Sequence, residues 1–375
     1  MKFDYLIVGA GLFGSTFAYL AKKKGLSVIV IDQREHVGGN LYCEEKSGII
    51  THMYGPHIFH TDNKQVFDFV TSLVDVHNYF HQPIANCHGE LFNLPFNMNT
   101  FRQMWNVKTP HEAEEIIKRQ SSSICSPKNM EEMAISMVGM DLYQKLIKEY
   151  TEKQWGAHCS QLPVDIIKRL PLRFSYDNNY FNDNYQFIPK GGYNRLFDKL
   201  LEDVPVLTSC PYEHMEKIWR NFAKKMLFTG RIDSLFDYKY GVLPYRSVRF
   251  EHEEKGVANY QGCAVMNYTT SDIPYTRSVE HRFFEESNET SKEHTIVTFE
   301  YPNGLAHKGR DDAFYPISTP QNEDILSKYK EAVASQKDII VGGRLADYRY
   351  YDMDDTIAAA MKLFDYEMKM LNDGK

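Results

Sequence analysis

Tyr5–Gly14, YLIVGAGLFG, decides the fold of this 375-residue chain. Tyr5 to Val8 form an apolar run without charge, the pattern of a strand covered on both faces. Gly9, Gly11 and Gly14 follow as G-x-G-x-x-G. In such a unit the first glycine makes the tight turn, the second lets backbone approach a pyrophosphate, and the third lets helix and strand pack closely. Phe13, Phe17, Leu20 and Ala21 share one helical face, and Gly25 sits where a C-terminal cap belongs. Leu26 to Ile31 predict a second strand ending in Asp32, a carboxylate about 20 residues beyond the glycines and placed to accept ribose hydroxyls. Strand, glycines, helix, strand and acid in one unit predict a dinucleotide site.

Two further glycine pairs extend that prediction. Gly38-Gly39-Asn40 lies just past the acidic strand and resembles the FAD-binding branch of these folds more than the NAD branch. Near the other end, Val341–Asp355, VGGRLADYRYYDMDD, runs from a strand through glycines into a helix. Ile357, Met361, Phe364, Met368 and Leu371 make one stripe along that helix. Its N-terminus, at Asp352 and Met353, would offer free N–H groups to the pyrimidine edge of a flavin. These units together predict FAD.

Composition bounds the partners. The net charge is −7, so no global basic field invites nucleic acid or an anionic membrane, and an anionic ligand must be met by local arginines. No apolar run approaches the length of about 18 residues that a membrane span needs. The chain enters its first strand directly, without the features of a signal peptide, and a cytoplasmic location is expected. Six scattered cysteines without a C-x-x-C fit reduced thiols, and the histidines show no metal-ligand spacing, so no metal is expected. The 25 Tyr against 3 Trp are distinctive, because Tyr offers both a flat face for stacking and a hydroxyl for phosphate or sugar.

Along the chain, YGPHIFHT (54–61) reads as a loop, and Val66, Phe67, Val70 and Leu73 predict a helix. Segment 79–96 reads as a hairpin turning at Cys87–Glu90. Residues 100–161 carry helical spacing, with Met130, Met133 and Met137 as core filler. Segments 242–254, 258–269 and 293–301, rich in Val, Tyr, Phe and Thr, predict an antiparallel sheet. MLFTGRIDSLF (226–236) returns to the nucleotide domain. The predicted class is therefore α/β, an FAD-binding Rossmann-like domain interrupted by a helical insertion and an antiparallel β-sheet domain. Its expected bounds are 1–78, 185–238 and 314–375 for the FAD domain and 98–161 for the insertion. The sheet domain, contributing to the substrate cleft, takes 79–97, 162–184 and 239–313.

Several segments combine Tyr, Trp and Arg beyond what a core needs. They are KEYTEKQW (148–155), the stretch 166–189 with Arg169, Arg173 and Tyr180, MNYTTSDIPYTRSVEH (266–281), FYPI (314–317) and YRYYDMD (348–354). Two arginines from separate segments would suit a diphosphate, with Tyr hydroxyls completing the donor set.

YGPHIFHT, FNLPFNMNTF, YTEKQWG, the Arg169 segment, PYTR with EH, and GGRLADYRYYDMD resemble the prokaryotic UDP-galactopyranose mutases, in order and over essentially the whole chain. The resemblance implies an isomerase of UDP-galactopyranose and UDP-galactofuranose, using FAD in its reduced form, whose N5 takes the anomeric carbon as UDP leaves. It further implies a cytoplasmic homodimer supplying galactofuranose for cell-surface polysaccharide such as O-antigen. Arg169 and Arg277 would clamp the diphosphate and act in catalysis. Tyr150, Thr151 and Trp155 would meet the uridine, and Tyr180, Asn267, Tyr315 and Tyr350 the phosphate or sugar oxygens. For the cofactor it implies Gly9, Gly11, Phe13, Gly14, Asp32, Gly39, Asn40, His57, His60, Arg344, Asp352 and Met353. His81 departs from the family pattern, standing where a smaller amide is expected. The competing readings are an amine-oxidase-like flavoprotein oxidoreductase and a non-catalytic nucleotide-sugar binder.

Overall fold

The computed structural model describes residues 2–121, 123–167, 170–284, 293–309 and 313–373. Phe3–Val8 forms the centre of a five-stranded parallel sheet. Its strands run in the spatial order Val206–Leu207, Val28–Ile31, Phe3–Val8, Ala223–Phe228, Ile339–Val341. Numbered along the chain that order is 3-2-1-4-5, so the direction of winding reverses between Phe3–Val8 and Ala223–Phe228. A crevice opens beyond the carboxyl ends of the strands at such a point, where this architecture takes its ligands. The strands read as buried on both faces, and they are: Leu6, Ile7, Val30 and Leu227 are fully buried. Helix Leu12–Lys23 packs one face of the sheet against the C-terminal helix Met353–Asp373, with the Phe17 and Phe364 rings edge-to-face at 5.5 Å.

A second, seven-stranded sheet runs Tyr315–Pro316, Tyr245–Lys255, Thr295–Leu305, Arg277–Glu280, Val265–Tyr268, Ile84–Cys87, Glu90–Asn93. The antiparallel expectation holds at every pairing in it but one. Val265–Tyr268 and Ile84–Cys87 pair in parallel, Met266 opposite Ile84. The hairpin 84–93 is a separate excursion of the chain docked on the edge of the later strands, so its direction is set by how it arrives and not by a tight turn. The hairpin itself turns at His88 (φ 50°) and Gly89 (φ 87°), the two-residue connection that matches strand twist.

Two features escape the sequence reading. Phe59–Thr61, inside the segment read as a loop, is a strand flanking Tyr185–Pro189, whose other neighbour is Val76–Asn78. Three residues carry too little pattern to announce a strand when the partner lies more than a hundred residues away. The helical region comprises Met98–Trp105, Pro110–Ser121, Met130–Val138 and Lys148–Trp155, gathered on a core that includes Met98, Phe101, Met130 and Tyr143. Met133 and Met137 pack against the same core, as expected for filler. A π-helical turn over Tyr143–Ile147 leads directly into Lys148–Trp155 and rotates that last helix relative to the preceding turn. No helix among the described residues is long and apolar enough to cross a membrane, and all six cysteines are free thiols.

Candidate active site

The glycines meet at the crevice. Gly9 turns with φ 109°, and a Cβ on it would lie 2.0 Å from Thr229 Oγ1 of the neighbouring strand loop. A Cβ on Gly14 would lie 2.0 Å from Gly9 O, so the helix can approach the strand only with glycine there. Gly11 is different. Its nearest neighbour would be Gly39 Cα at 3.8 Å, leaving open space before the helix. The N-terminus of Leu12–Lys23 also has no side-chain cap, so its first N–H groups are available to an anion. Asp32 Oδ2 accepts from Ala10 N at 2.7 Å and Oδ1 from Arg34 N at 2.9 Å, and Asn40 Oδ1 accepts from Arg34 Nη2 at 3.0 Å. The acid thus braces the turn at the end of the second strand. An open glycine cradle, an uncapped helix and a carboxylate at the second strand end fit the ADP half of FAD. Phe13 serves this cradle from below: it is 5% exposed, and a Cβ on Gly342 would lie 2.3 Å from its ring.

Next to the crevice lies a cleft of about 870 Å³ between the parallel-sheet domain, the seven-stranded sheet and helix Lys148–Trp155. Tyr150, Thr151, Trp155, Tyr180, Asn267, Arg277, Tyr315 and Tyr350 all line it. His57, His60, Arg344, Asp352 and Met353 line it as well. Arg169 lies outside the described residues.

Arg277 is one of the charged residues lining the cleft. Asn267, Arg277 and Glu300 sit side by side on adjacent strands, Asn267 opposite Arg277 and Arg277 opposite Glu300. Arg277 Nε donates to Glu300 Oε2, and 29% of the arginine side chain stays exposed while Glu300 keeps 3%. Burial works against the guanidinium charge, yet Glu300, Tyr150 and Tyr315 together push its pKa up. Burial pushes the Glu300 carboxyl up, against the opposing pull of Arg277. Asn267 Oδ1 and Glu300 Oε1 are buried without a protein hydrogen-bond partner among the described residues. Tyr150 is pushed up to about 12 by burial, and Tyr180 also upward by burial, so both remain protonated donors. A permanent cation among neutral hydroxyl donors is a site for an oxyanion with several oxygens.

The cleft histidines are fixed by short bonds. His57 Nδ1 lies 2.9 Å from Gly55 O, which can only accept, so the ring presents Nε2 as an acceptor. Burial, helped by His52 and Arg344, pushes His57 down to about 3, and it is neutral. His60 Nδ1 lies 3.0 Å from Asp183 Oδ2, and its ring stacks on Phe181 at 3.8 Å. Arg344 donates through Nη2 to Tyr351 O at 2.8 Å and lies 5.2 Å from the Tyr350 ring.

A sequence model described as UDP-galactopyranose mutase matches residues 145–350, and an NAD(P)-binding Rossmann-like model matches residues 7–73. A probable UDP-galactopyranose mutase from Klebsiella pneumoniae is 39% identical over 96% of this chain and 94% of its own length. The chain belongs to the UDP-galactopyranose mutase family. A dTDP-fucopyranose mutase from Escherichia coli is 37% identical over 95% of this chain and 96% of its own length. A solved structure of reduced UDP-galactopyranose mutase superimposes with a TM-score of 0.76 at 14% identity, covering 99% of this chain and 94% of that one, which shows the shared fold. Membership of the mutase family makes this chain an enzyme of an isomerase family.

Against the family expectation, His81 is the informative departure. It is 8% exposed, lines the cleft, and its Nδ1 has no protein partner among the described residues. Burial, then Arg277 and His60, push it down to about 3, so it meets a ligand as a neutral ring. Sequence reasoning missed three residues. Glu300 read only as part of a strand. Arg246, also on a predicted strand, is 8% exposed, donates from Nη2 to Gln154 O at 2.8 Å and lines a small cavity with Arg277, Glu300 and Tyr315. Burial lowers its pKa, and no pattern in its strand announces a buried cation. Lys153, inside YTEKQWG, reads in sequence only as a polar helix residue.

Proposed function

We propose that this protein interconverts UDP-galactopyranose and UDP-galactofuranose with FAD bound in the glycine cradle. The observation that carries this is the shared cleft, in which the part-buried Arg277 guanidinium and a set of tyrosine hydroxyls line one space with His57 and Arg344. Reduced FAD would supply the N5 nucleophile that takes the anomeric carbon. Arg277, and Arg169 with it by family resemblance, would hold the departing diphosphate and stabilise its charge as the glycosidic bond breaks. Tyr150, Thr151 and Trp155 would seat the base. Asn267, whose Oδ1 has no protein partner among the described residues, would take a ligand hydroxyl. His57, neutral and held by Gly55, would accept a hydrogen bond at Nε2 from the flavin side. The enzyme would act in the cytoplasm as a homodimer and supply galactofuranose for cell-surface polysaccharide.

Family membership speaks against the amine-oxidase reading. One other substrate has specific support: the relative named for dTDP-fucopyranose is nearly as similar as the one named for UDP-galactopyranose. The test incubates dithionite-reduced and air-oxidised enzyme with UDP-galactofuranose and, separately, with dTDP-fucofuranose, and analyses the products. Conversion of the UDP-sugar by reduced enzyme alone is the expected result. Preference for the dTDP-sugar would transfer the assignment, and turnover by strictly oxidised enzyme would refute it.

A further inference from the structure

The residues that seat the base ride on helix Lys148–Trp155, whereas Asn267 and Arg277 belong to the seven-stranded sheet. A nucleoside diphosphate spans both, so the spacing between the two bodies determines whether base and phosphate contacts are made at once. Ile147, Tyr150, Thr151 and Gln154 turn one stripe of this segment to the cleft. Glu149 and Lys153, spaced i and i+4, form the neighbouring stripe. Both side chains, and the backbone carbonyl of Lys145, grip the turn that joins Val265–Tyr268 to Arg277–Glu280. Lys145 O accepts from Thr269 Oγ1 at 3.1 Å, and Glu149 Oε2 accepts from Ser271 N at 2.7 Å.

Lys153 makes the strongest grip. Its Nζ lies 3.0 Å from Tyr268 O, 2.8 Å from Thr270 O, 2.9 Å from Ile273 O and 2.9 Å from Tyr275 O. Its three N–H donors are shared among four carbonyls, which form a cage around a compact cation. A planar guanidinium cannot fill that cage, and an apolar side chain would leave the carbonyls unpaired. The turn begins two residues after Asn267, at Thr269, and ends immediately before Arg277.

We propose that Lys153 is a positioning residue that sets the distance between the base-binding helix and the diphosphate contacts at Asn267 and Arg277. This rests on the nucleotide-sugar reading above. The test measures binding of UDP, uridine and inorganic pyrophosphate to flavin-loaded wild type, Lys153→Met and Lys153→Arg. In Lys153→Met, UDP should bind more weakly by on the order of tenfold or more, because its two halves no longer fit together. Uridine and pyrophosphate, which each touch one body, should change by less than about twofold. In a further variant, Lys153→Ala, ammonium ions should restore UDP binding and tetramethylammonium, which has no N–H, should not; equal effects of the two ions overturn the proposal. Wild-type UDP affinity in Lys153→Met overturns the proposal, as does equal loss of all three ligands. If Lys153→Met does not fold, Lys153→Arg carries the test, and wild-type UDP affinity there overturns it equally. Failure of the wild type itself to bind UDP would instead refute the nucleotide-sugar reading.

Discussion

Arg277→Ala should destabilise the protein in a pH-dependent way that follows from Glu300. That carboxylate is 3% exposed and pairs with Arg277. Without the guanidinium, a buried carboxylate takes up a proton in preference to remaining charged. Protonating a group of ordinary pKa 4.5 at pH 7 costs about 3.4 kcal/mol, from 1.36 kcal/mol per unit over about 2.5 units. This is an upper bound, because burial already raises Glu300 in the wild type. It falls in the range of about 3–5 kcal/mol known for removing one partner of a buried pair. The sign follows from proton counting. In the variant the folded state holds a proton on Glu300 that the unfolded chain has released above its own pKa, so acidification favours folding. The deficit relative to wild type should therefore shrink to about 0.7 kcal/mol at pH 5. Urea unfolding of flavin-loaded wild type and variant at pH 5, 6 and 7 measures the gap directly. The double variant Arg277→Met with Glu300→Leu removes the stranded charge and should recover most of the stability at pH 7, without recovering ligand binding. A gap that stays constant with pH, or a double variant no more stable than Arg277→Ala, would refute the reasoning.

Three other outcomes are expected. Arg277→Ala should slow turnover by roughly a hundredfold, about 3 kcal/mol, and Arg277→Lys should restore only part of it, because an ammonium cannot copy the planar fork; unchanged steady-state rates in the Ala variant would contradict the clamp. Gly11→Val should fold but purify without flavin absorbance, since the added side chain enters the open space before helix Leu12–Lys23, and a fully yellow preparation would count against the cradle. The wild type should lose stability as pH falls from about 6.5 toward 4, because burial pushes His52 down to about 4 and His281 well below its usual value, so both must gain a proton on unfolding; a urea midpoint flat across that window would disprove neutral burial.

Much of the site was legible because its chemistry is carried by residue types whose alternatives are costly. Gly9 and Gly14 were readable since a Cβ at either would strike Thr229 or Gly9 itself. The tyrosines and Arg277 stood out as an excess over what packing needs, and they do line one cleft. His81 was visible only as a departure, and the structure gives that departure an unpartnered buried nitrogen. Arg246 and Glu300 gave no signal, because a strand alternates its residues whatever lies opposite, and a buried charge is distinguishable from an exposed one only once the opposite strand is in place.

The βαβ unit, its glycine pattern and the alternation of helical and sheet regions were legible in the chain alone, because they depend on backbone preferences and periodicities acting over a few residues to about thirty. The mutase family was legible through motifs, spread along the chain, that resemble those of its members. Tertiary structure decided the rest. It placed Phe59–Thr61 as a strand beside Tyr185–Pro189, set Val265–Tyr268 parallel to Ile84–Cys87, and put Asn267, Arg277 and Glu300 in one row across three strands. It also brought four carbonyls of the 268–275 turn around an ammonium more than a hundred residues earlier in the chain. Hydrogen bonds and ion pairs act over about 3 Å, so they exist only after segments remote in sequence have been packed into register.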